Sequence, residues 1–479
     1  MAEHTLARHL ARFAAGTGYD TLPAEVADSV RRRIVDVLGL CVAAHRLPTS
    51  TAIIAHVREQ GGAAHSTVIG GGPPVPAPLA ALANGVLAHS LDYDDTHLPS
   101  VLHPSASVVP AALAAAEASG ADGARTVHAV AVGLEVCVRL GMAGYDRAAG
   151  NSTFFEHGQH ATSICGALGG AVAAGLLLGL DEDAVQSALG IAASMAAGII
   201  EANRTGGTVK RLHCGLAAQS AVTAAQLVRR GFTGPPTVLE GRFGFFEAFL
   251  HGVYDPAAIT EGLGTEWAVP GIFFKPYPAN HFTHTAADAA MALREQGLDP
   301  ARVERLVLGV PAPVIRTIGQ PIENKRAPET GYQAQFSGPY MVAAGLLGGG
   351  GGLGLGLDDF TDELARDPAR RALMAKVEVV ADERATAIFP EQFPAVLTAH
   401  DTDGRVWRRE VLTNRGGSER PLSDAELELK FRDNTAGRLA DADAGLVMDR
   451  ALRLGETDRI QDLLRPLAEL KNVAGGPRD

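Results

Sequence analysis

The chain holds 479 residues with a formal net charge of −12, and 20% of its residues are charged and 46% apolar. That is the balance of a folded globular chain of two or three domains, and its acidic surplus argues against a nucleic-acid surface. The longest apolar run, Ile164 to Leu180, falls short of the roughly 20 residues that a membrane span needs, and no membrane partner is expected.

In chain order, the opening MAEHTLARHLARFAAG lacks a continuous apolar core and a cleavage signature. No secretory leader is expected, and the expected location is cytoplasmic. Leu6, Leu10 and Phe13 recur at helical spacing, as do Val26, Val30, Ile34, Val37 and Leu38. Further helices are expected at Leu79–Leu91, Ser107–Ser119, Thr126–Leu140, Thr162–Leu178, Asp181–Ile199 and Lys210–Arg230. The pattern changes near residue 270. Val303–Val310 and Lys376–Ala381 read as strands, and Ala395–Thr402 and Arg405–Leu412 as a hairpin turning at Asp403-Gly404. Helices are expected between them at Thr285–Gln296, Tyr340–Leu347 and Thr361–Ala365. Ser423 and Glu426 form a capping box for a helical return, and the closing AGGPRD is expected to fray. The fold class is therefore mainly α with a smaller α+β domain. Residues 1–269 and 415–479 would form the helical domain, and 270–414 an inserted α+β domain.

Four cysteines (Cys41, Cys137, Cys165, Cys214) stand apart with no C-x-x-C pair. This argues against a zinc site, an iron–sulfur cluster or a disulfide framework, and fits a reducing compartment. The densest polar stretch is HSLDYDDTHLPSVLHPS, from His89 to Ser105, between two Ala-rich segments. A core cannot bury such groups unpaired, so the stretch points to a polar site for protons, a metal or an anion. Three other polar clusters also precede helices: His157 to Thr162, Gly206 to Lys210, and Lys275 to His284. Helix N-termini with adjacent Lys or His favour carboxylate or phosphate. Only six of the 42 basic residues are lysines, so Lys210 and Lys275 stand out. Against this, a lone histidine is more often structural, which applies to His89, His97, His157, His213 and His281. Asp92, Asp94 and Asp95 also suit caps and turns, or, for Asp94 and Asp95, oxygen ligation of a divalent cation.

AHSLDYDDTH…HPS, HATSICG, GGTVKRLHCGLAAQSA, KPYPANHFTH and QAQFSGPY together resemble the signature segments of the MmgE/PrpD family, as does NRGGSERPLSDAELELKF near the end. The resemblance covers nearly the whole chain. It implies a homodimer, a helical domain made from both chain ends, an α+β lid, and neither metal nor organic cofactor. It carries over Asp92, Thr96, His103, His160, Lys210, Lys275 and Tyr340 as site residues, with Asn280 and His281 beside the substrate. The decarboxylases of the family place a histidine five residues after the lid lysine, where this chain has Asn280. His160 lies in HATS, where many members have HPTG.

The implied substrate is a small di- or tricarboxylate. The expected reaction is dehydration of a 2-methylcitrate-like hydroxy acid. Epimerisation of a dicarboxylate such as iminodisuccinate, cis-aconitate-type decarboxylation and a non-catalytic binding homologue are the alternatives. In this reading His103 moves the proton, and Asp92 orients it or shares the proton. Lys210 and Lys275 hold carboxylates, and His160 and Tyr340 donate.

Overall fold

Helices carry the first of two units, which comprises residues 4–90, 94–272 and 434–471 of a computed structural model that describes residues 4–148, 150–455 and 459–471. The expected fraying of the closing residues lies outside this range. The helices of this unit include α1 (Leu6–Gly16), α2 (Ala24–Ala43), α3 (Ala77–His89), α4 (Ser105–Ser119), α5 (Gly123–Ala143), α6 (Ala161–Leu177), α7 (Glu182–Met195) and α8 (Val209–Val228). Glycines sit where these helices touch, as at Gly85 against Gly215 and Gly133 against Gly169, so their backbones approach closely. At the crossing of α3 and α8, a Cβ on Gly215 would lie 2.4 Å from the Leu82 carbonyl oxygen. No side chain fits there. That crossing brings the end of α3 to the start of α8.

By length and composition α5 could cross a membrane, but 89% of its apolar window is buried inside the protein. It also carries Glu135 and Arg139, paired at 2.7 Å. Arg139 donates to the Glu261 and Glu266 carbonyls, and Glu135 accepts from the Ala268 amide. This buried ion pair is thus satisfied by the loop packed on it. The chain end returns to the same unit, with the Gly70 amide donating to the Leu467 carbonyl at 2.8 Å.

The second unit comprises residues 91–93 and 273–433. Its sheet holds β1 (Val303–Val310), β2 (Val377–Ala381), β3 (Ala395–Asp401) and β4 (Val406–Val411) in the order β2-β1-β3-β4. β1 and β2 are parallel, with Leu306 opposite Val377; the other pairs are antiparallel, with Leu308 opposite Leu397 and Ala395 opposite Val411. The hairpin turns where expected. Asp401 accepts from the amides of Asp403 and Arg405, and its other oxygen accepts from the Trp407 indole. Helices α9 (His284–Glu295) and α10 (Gly338–Leu347) share a core with this sheet that includes Leu293, Leu306, Leu308, Met341 and Leu397.

Most helix ends shift by one to three residues from the sequence reading, and two boundaries differ for a cause visible in the structure. α7 ends at Met195 rather than Ile199, because Ala196 turns extended and the Gly198 carbonyl accepts from the His160 amide at 3.0 Å. Residues 415–433, expected in the helical return, belong to the second unit. The Phe274 amide donates to the Gly416 carbonyl, and Arg415 pairs with Glu426. The Ser423–Glu426 capping box is present at the start of α11 (Asp424–Thr435).

Candidate active site

In the first unit, four histidines from separate segments form a continuous cluster. His89 ends α3, His103 precedes α4, His160 precedes α6, and His213 sits in the first turns of α8. The His89 ring centroid is 5.6 Å from that of His103 and 5.5 Å from that of His160, and His160 is 5.0 Å from His213. His160 and His213 share a hydrogen between their Nδ1 atoms, 3.0 Å apart. The α3–α8 crossing makes this possible, since it sets His89 against the His213–Cys214 turn.

Each ring has its own electrostatic setting. His89 is buried and bonded through Nδ1 to the Asp94 carboxylate at 2.7 Å. Burial disfavours its cation, but Cys214 and the Asp94 carboxylate outweigh this and push it up to about 10. At neutral pH it is an imidazolium. His160 is pushed far below the ordinary histidine range by burial, then by the His89 charge and by Lys210, His213 and His103. His213 falls to about 4, by burial and then by His89 and Lys210. Both are neutral at pH 7.

His103 differs from the other three in being half-buried. Its Nδ1 lies 2.7 Å from the Asp95 backbone oxygen and 3.3 Å from the Thr96 hydroxyl. A carbonyl can only accept, so Nδ1 carries the hydrogen and Nε2 carries the titrating lone pair. Asp95 and Thr96 thus hold this ring through Nδ1. The His103 amide donates to Thr162, which ties the ring's backbone to α6.

The loop beneath His103 is built from the other polar residues of the segment. The Asp95 carboxylate accepts from the Ser105 amide and hydroxyl at the start of α4, and pairs with Arg33 at 3.0 Å. His97 bonds Ser100 at 2.7 Å, and burial and the Arg33 charge push it down to about 3. These are the scaffold roles expected for Asp95 and His97. Lys210, half-buried, lies one helical turn before His213 and acts on both inner rings through its charge.

The second unit holds the remaining predicted residues. Lys275 is fully buried; its Nζ donates to the Asp92 carbonyl at 2.8 Å and lies 3.6 Å from the Asp92 carboxylate. Asp92 has φ 51°, a left-handed conformation that Asp tolerates better than most residues. Residues 91–93 are held on every side. Gln335 donates to the Leu91 carbonyl, the Tyr93 hydroxyl to the Pro276 carbonyl, and Lys430 to the Tyr93 carbonyl while capping its ring at 4.0 Å. Asn280 accepts from the Phe282 amide and so caps the short turn that follows it. His281 is buried among Phe273, His284 and Phe393.

Tyr340 is fully buried. Its hydroxyl donates to the Asp359 carbonyl and accepts from Arg370 at 3.1 Å, and burial pushes it up to about 12. This fits a core tie-point, not the proton donor expected from the sequence.

Sequence reading did not single out His213, the His89–Asp94 pair or Lys430. One signal was present: His213 follows Lys210 by three residues on a helix, so both share a face. Among the described residues, no group of three or more His, Cys, Asp or Glu side chains is arranged to hold a metal ion.

Residues 8–256 match the MmgE/PrpD N-terminal domain and residues 277–454 the MmgE/PrpD C-terminal domain. The chain is 32% identical to the cis-aconitate decarboxylase of Homo sapiens over 437 residues, 86% of this chain and 83% of that one. It is 30% identical to the Mus musculus cis-aconitate decarboxylase, over 85% of this chain and 82% of that one. The mitochondrial 2-methylcitrate dehydratase of Yarrowia lipolytica is 31% identical over 186 residues, 38% of this chain and 33% of that one. Decarboxylase and dehydratase are both lyases, which supports a lyase here. With both domain types matched in order, the chain belongs to the MmgE/PrpD family.

Proposed function

We propose that the protein is a lyase acting on a small polycarboxylate, in which a proton moves at a carbon next to a carboxylate and His103 carries it. The observation that supports this most directly is the setting of His103. Its Nδ1 is committed to the Asp95 carbonyl, so Nε2 is the atom that exchanges a proton. It is the half-buried ring of a cluster whose other members are buried. Lys210 supplies a compact positive charge for a substrate carboxylate, and the neutral His160 can donate or accept a hydrogen bond without competing for that charge.

Decarboxylation of a cis-aconitate-like acid is the first reading, because the relatives that span most of the chain carry that name. In that reaction the carbon–carboxylate bond breaks, CO2 leaves, and the electron pair takes a proton from the His103 imidazolium. Dehydration of a 2-methylcitrate-like acid is the second. It is favoured by Asn280, which serves as a turn cap where the family's decarboxylases have a histidine. There His103 Nε2 removes the proton and a second group protonates the departing hydroxyl.

The test is incubation of the purified protein with cis-aconitate and with 2-methylcitrate, following released CO2 and the near-ultraviolet absorbance of a new alkene. His103→Gln should lower turnover on the active substrate by roughly 10²–10⁴-fold, the ordinary worth of a general acid or base. Turnover of neither acid, or full activity in that variant, would overturn the proposal.

A further inference from the structure

His89 and Asp94 have no part in the proton path above, yet they occupy the middle of it. Asp94 is fully buried and His89 nearly so, 2.7 Å apart, and the His89 ring touches the rings of both His103 and His160. A buried ion pair of this kind is costly to hold, because both partners give up water. We propose that the Asp94–His89 pair is a positioning element of the site: its fixed cation keeps the His160–His213 couple neutral, and so sets the lower pH limit of proton transfer at His103. The inference rests on the lyase reading for its catalytic half and on the cluster's geometry for its electrostatic half.

The geometry is restrictive. His160 and His213 face each other through Nδ1 at 3.0 Å, so one of these nitrogens must present a lone pair. The groups that act on His160 come from every side. His89 lies at the end of α3, His103 before α4, and Lys210 and His213 on α8. Cys214 adjoins His89, and Asp95, paired with Arg33, stands behind Asp94. Cys214 and Asp94 both bond His89, and together they favour the charge on this ring. Without the Asp94 carboxylate the buried cation at His89 would lose the counter-charge bonded to Nδ1, and the ring would give up its proton more readily. His160 would then no longer face a cation at 5.5 Å and would become easier to protonate.

The test uses Asp94→Asn, which keeps the shape, and His89→Gln as the independent second variant. Histidine-selective NMR titration of the intact protein reads the rings without any substrate. In both variants His160 should titrate higher than in the parent by roughly two pH units, the size expected for removing one charge at 5.5 Å, and His213 should move in the same direction. The acidic limb of kcat/KM should move to higher pH by the same amount, since the neutral couple is lost sooner as pH falls. Unchanged titration of His160 and His213 in folded Asp94→Asn and His89→Gln would overturn the electrostatic role. A shifted titration with an unmoved acidic limb would overturn the positioning role. If no polycarboxylate is turned over, the lyase reading fails, while the titration still decides whether the pair holds the couple neutral.

Discussion

Replacing Asp95 by Asn puts a number on the scaffold beneath His103. Asp95 and Arg33 are 2% and 1% exposed in their side chains and lie 3.0 Å apart. The substitution keeps one oxygen for the Ser105 amide but sets an NH2 group against both the Arg33 guanidinium and the Ser105 hydroxyl. Removing one partner of a buried pair costs about 3–5 kcal/mol, because the other charge stays buried. Arg33 retains the Val269 and Ile272 carbonyls and the nearby Asp36, which partly satisfy it. The lower end, about 3 kcal/mol, is therefore expected. The two tryptophans, Trp267 and Trp407, lie in different units. In a Trp407→Phe background the fluorescence of Trp267 reports the first unit alone, and urea unfolding gives its stability directly. Turnover should fall as well, because the Asp95 carbonyl holds Nδ1 of His103. A loss below about 1 kcal/mol would show that the ion pair is not the support described here.

Gly215→Ala would gain up to about 1 kcal/mol of helix propensity in α8, but its Cβ would meet the Leu82 carbonyl at 2.4 Å and Val86 Cγ2 at 2.6 Å, so a net loss of about 1–3 kcal/mol is expected from urea midpoints. Gly16→Ala, with open space around it, is the control and should lose nothing. Tyr340→Phe should cost about 1–2 kcal/mol through the lost Asp359 and Arg370 bonds while leaving kcat/KM within a few-fold; a hundredfold fall would return Tyr340 to the reaction. Burial raises Glu426, but bonds from Ser423 and Arg415 outweigh it and bring it down to about 2. A depressed carboxylate stabilises above its unfolded value and loses that as pH falls, so the stability gap between the parent and Glu426→Gln should hold above about pH 4.5 and close toward pH 2. A gap independent of pH would contradict the assignment.

The sequence showed the helices and strands well because their periodicities are local. β1 was placed to the residue, and the Asp403-Gly404 turn carries its own signal. The end of α7 was misjudged because its cause is distant: Gly198 leaves the helix to accept from His160. The long assignment of 415–433 to the helical return failed for the same reason. Nothing local in NRGGSERPLSDAELELKF shows that Arg415, Gly416 and Lys430 bond to residues of the second unit. In the site, His103 and Thr96 were legible from a dense polar stretch. His213 and the His89–Asp94 pair were not, since an isolated histidine in a helix usually has a structural role. Only a crossing of two backbones at Gly85 and Gly215 makes His89 and His213 members of one cluster.

The scarcity of lysine has a physical counterpart in the second unit. Lys275 and Lys430 are 0% and 1% exposed, and each donates to a backbone carbonyl of the same short segment, at Asp92 and at Tyr93. A guanidinium brings five N–H donors in a rigid fork, and a pocket this closed would leave several of them unsatisfied. An ammonium brings three donors on a compact head, which one carbonyl, a nearby carboxylate or an aromatic face can nearly satisfy. Buried Arg33 and Arg139 each have a carboxylate and two or more carbonyls for their donors, whereas Lys275 and Lys430 are shown with one carbonyl each and suit the smaller head. The same reasoning applies to attraction of a polyanion. Charges farther than about 8 Å are largely screened at physiological salt, so an acidic protein that took a polycarboxylate would attract it through cations set close to its site. On the proposed lyase reading, Lys210, one helical turn from His213 in the first unit, would be such a cation.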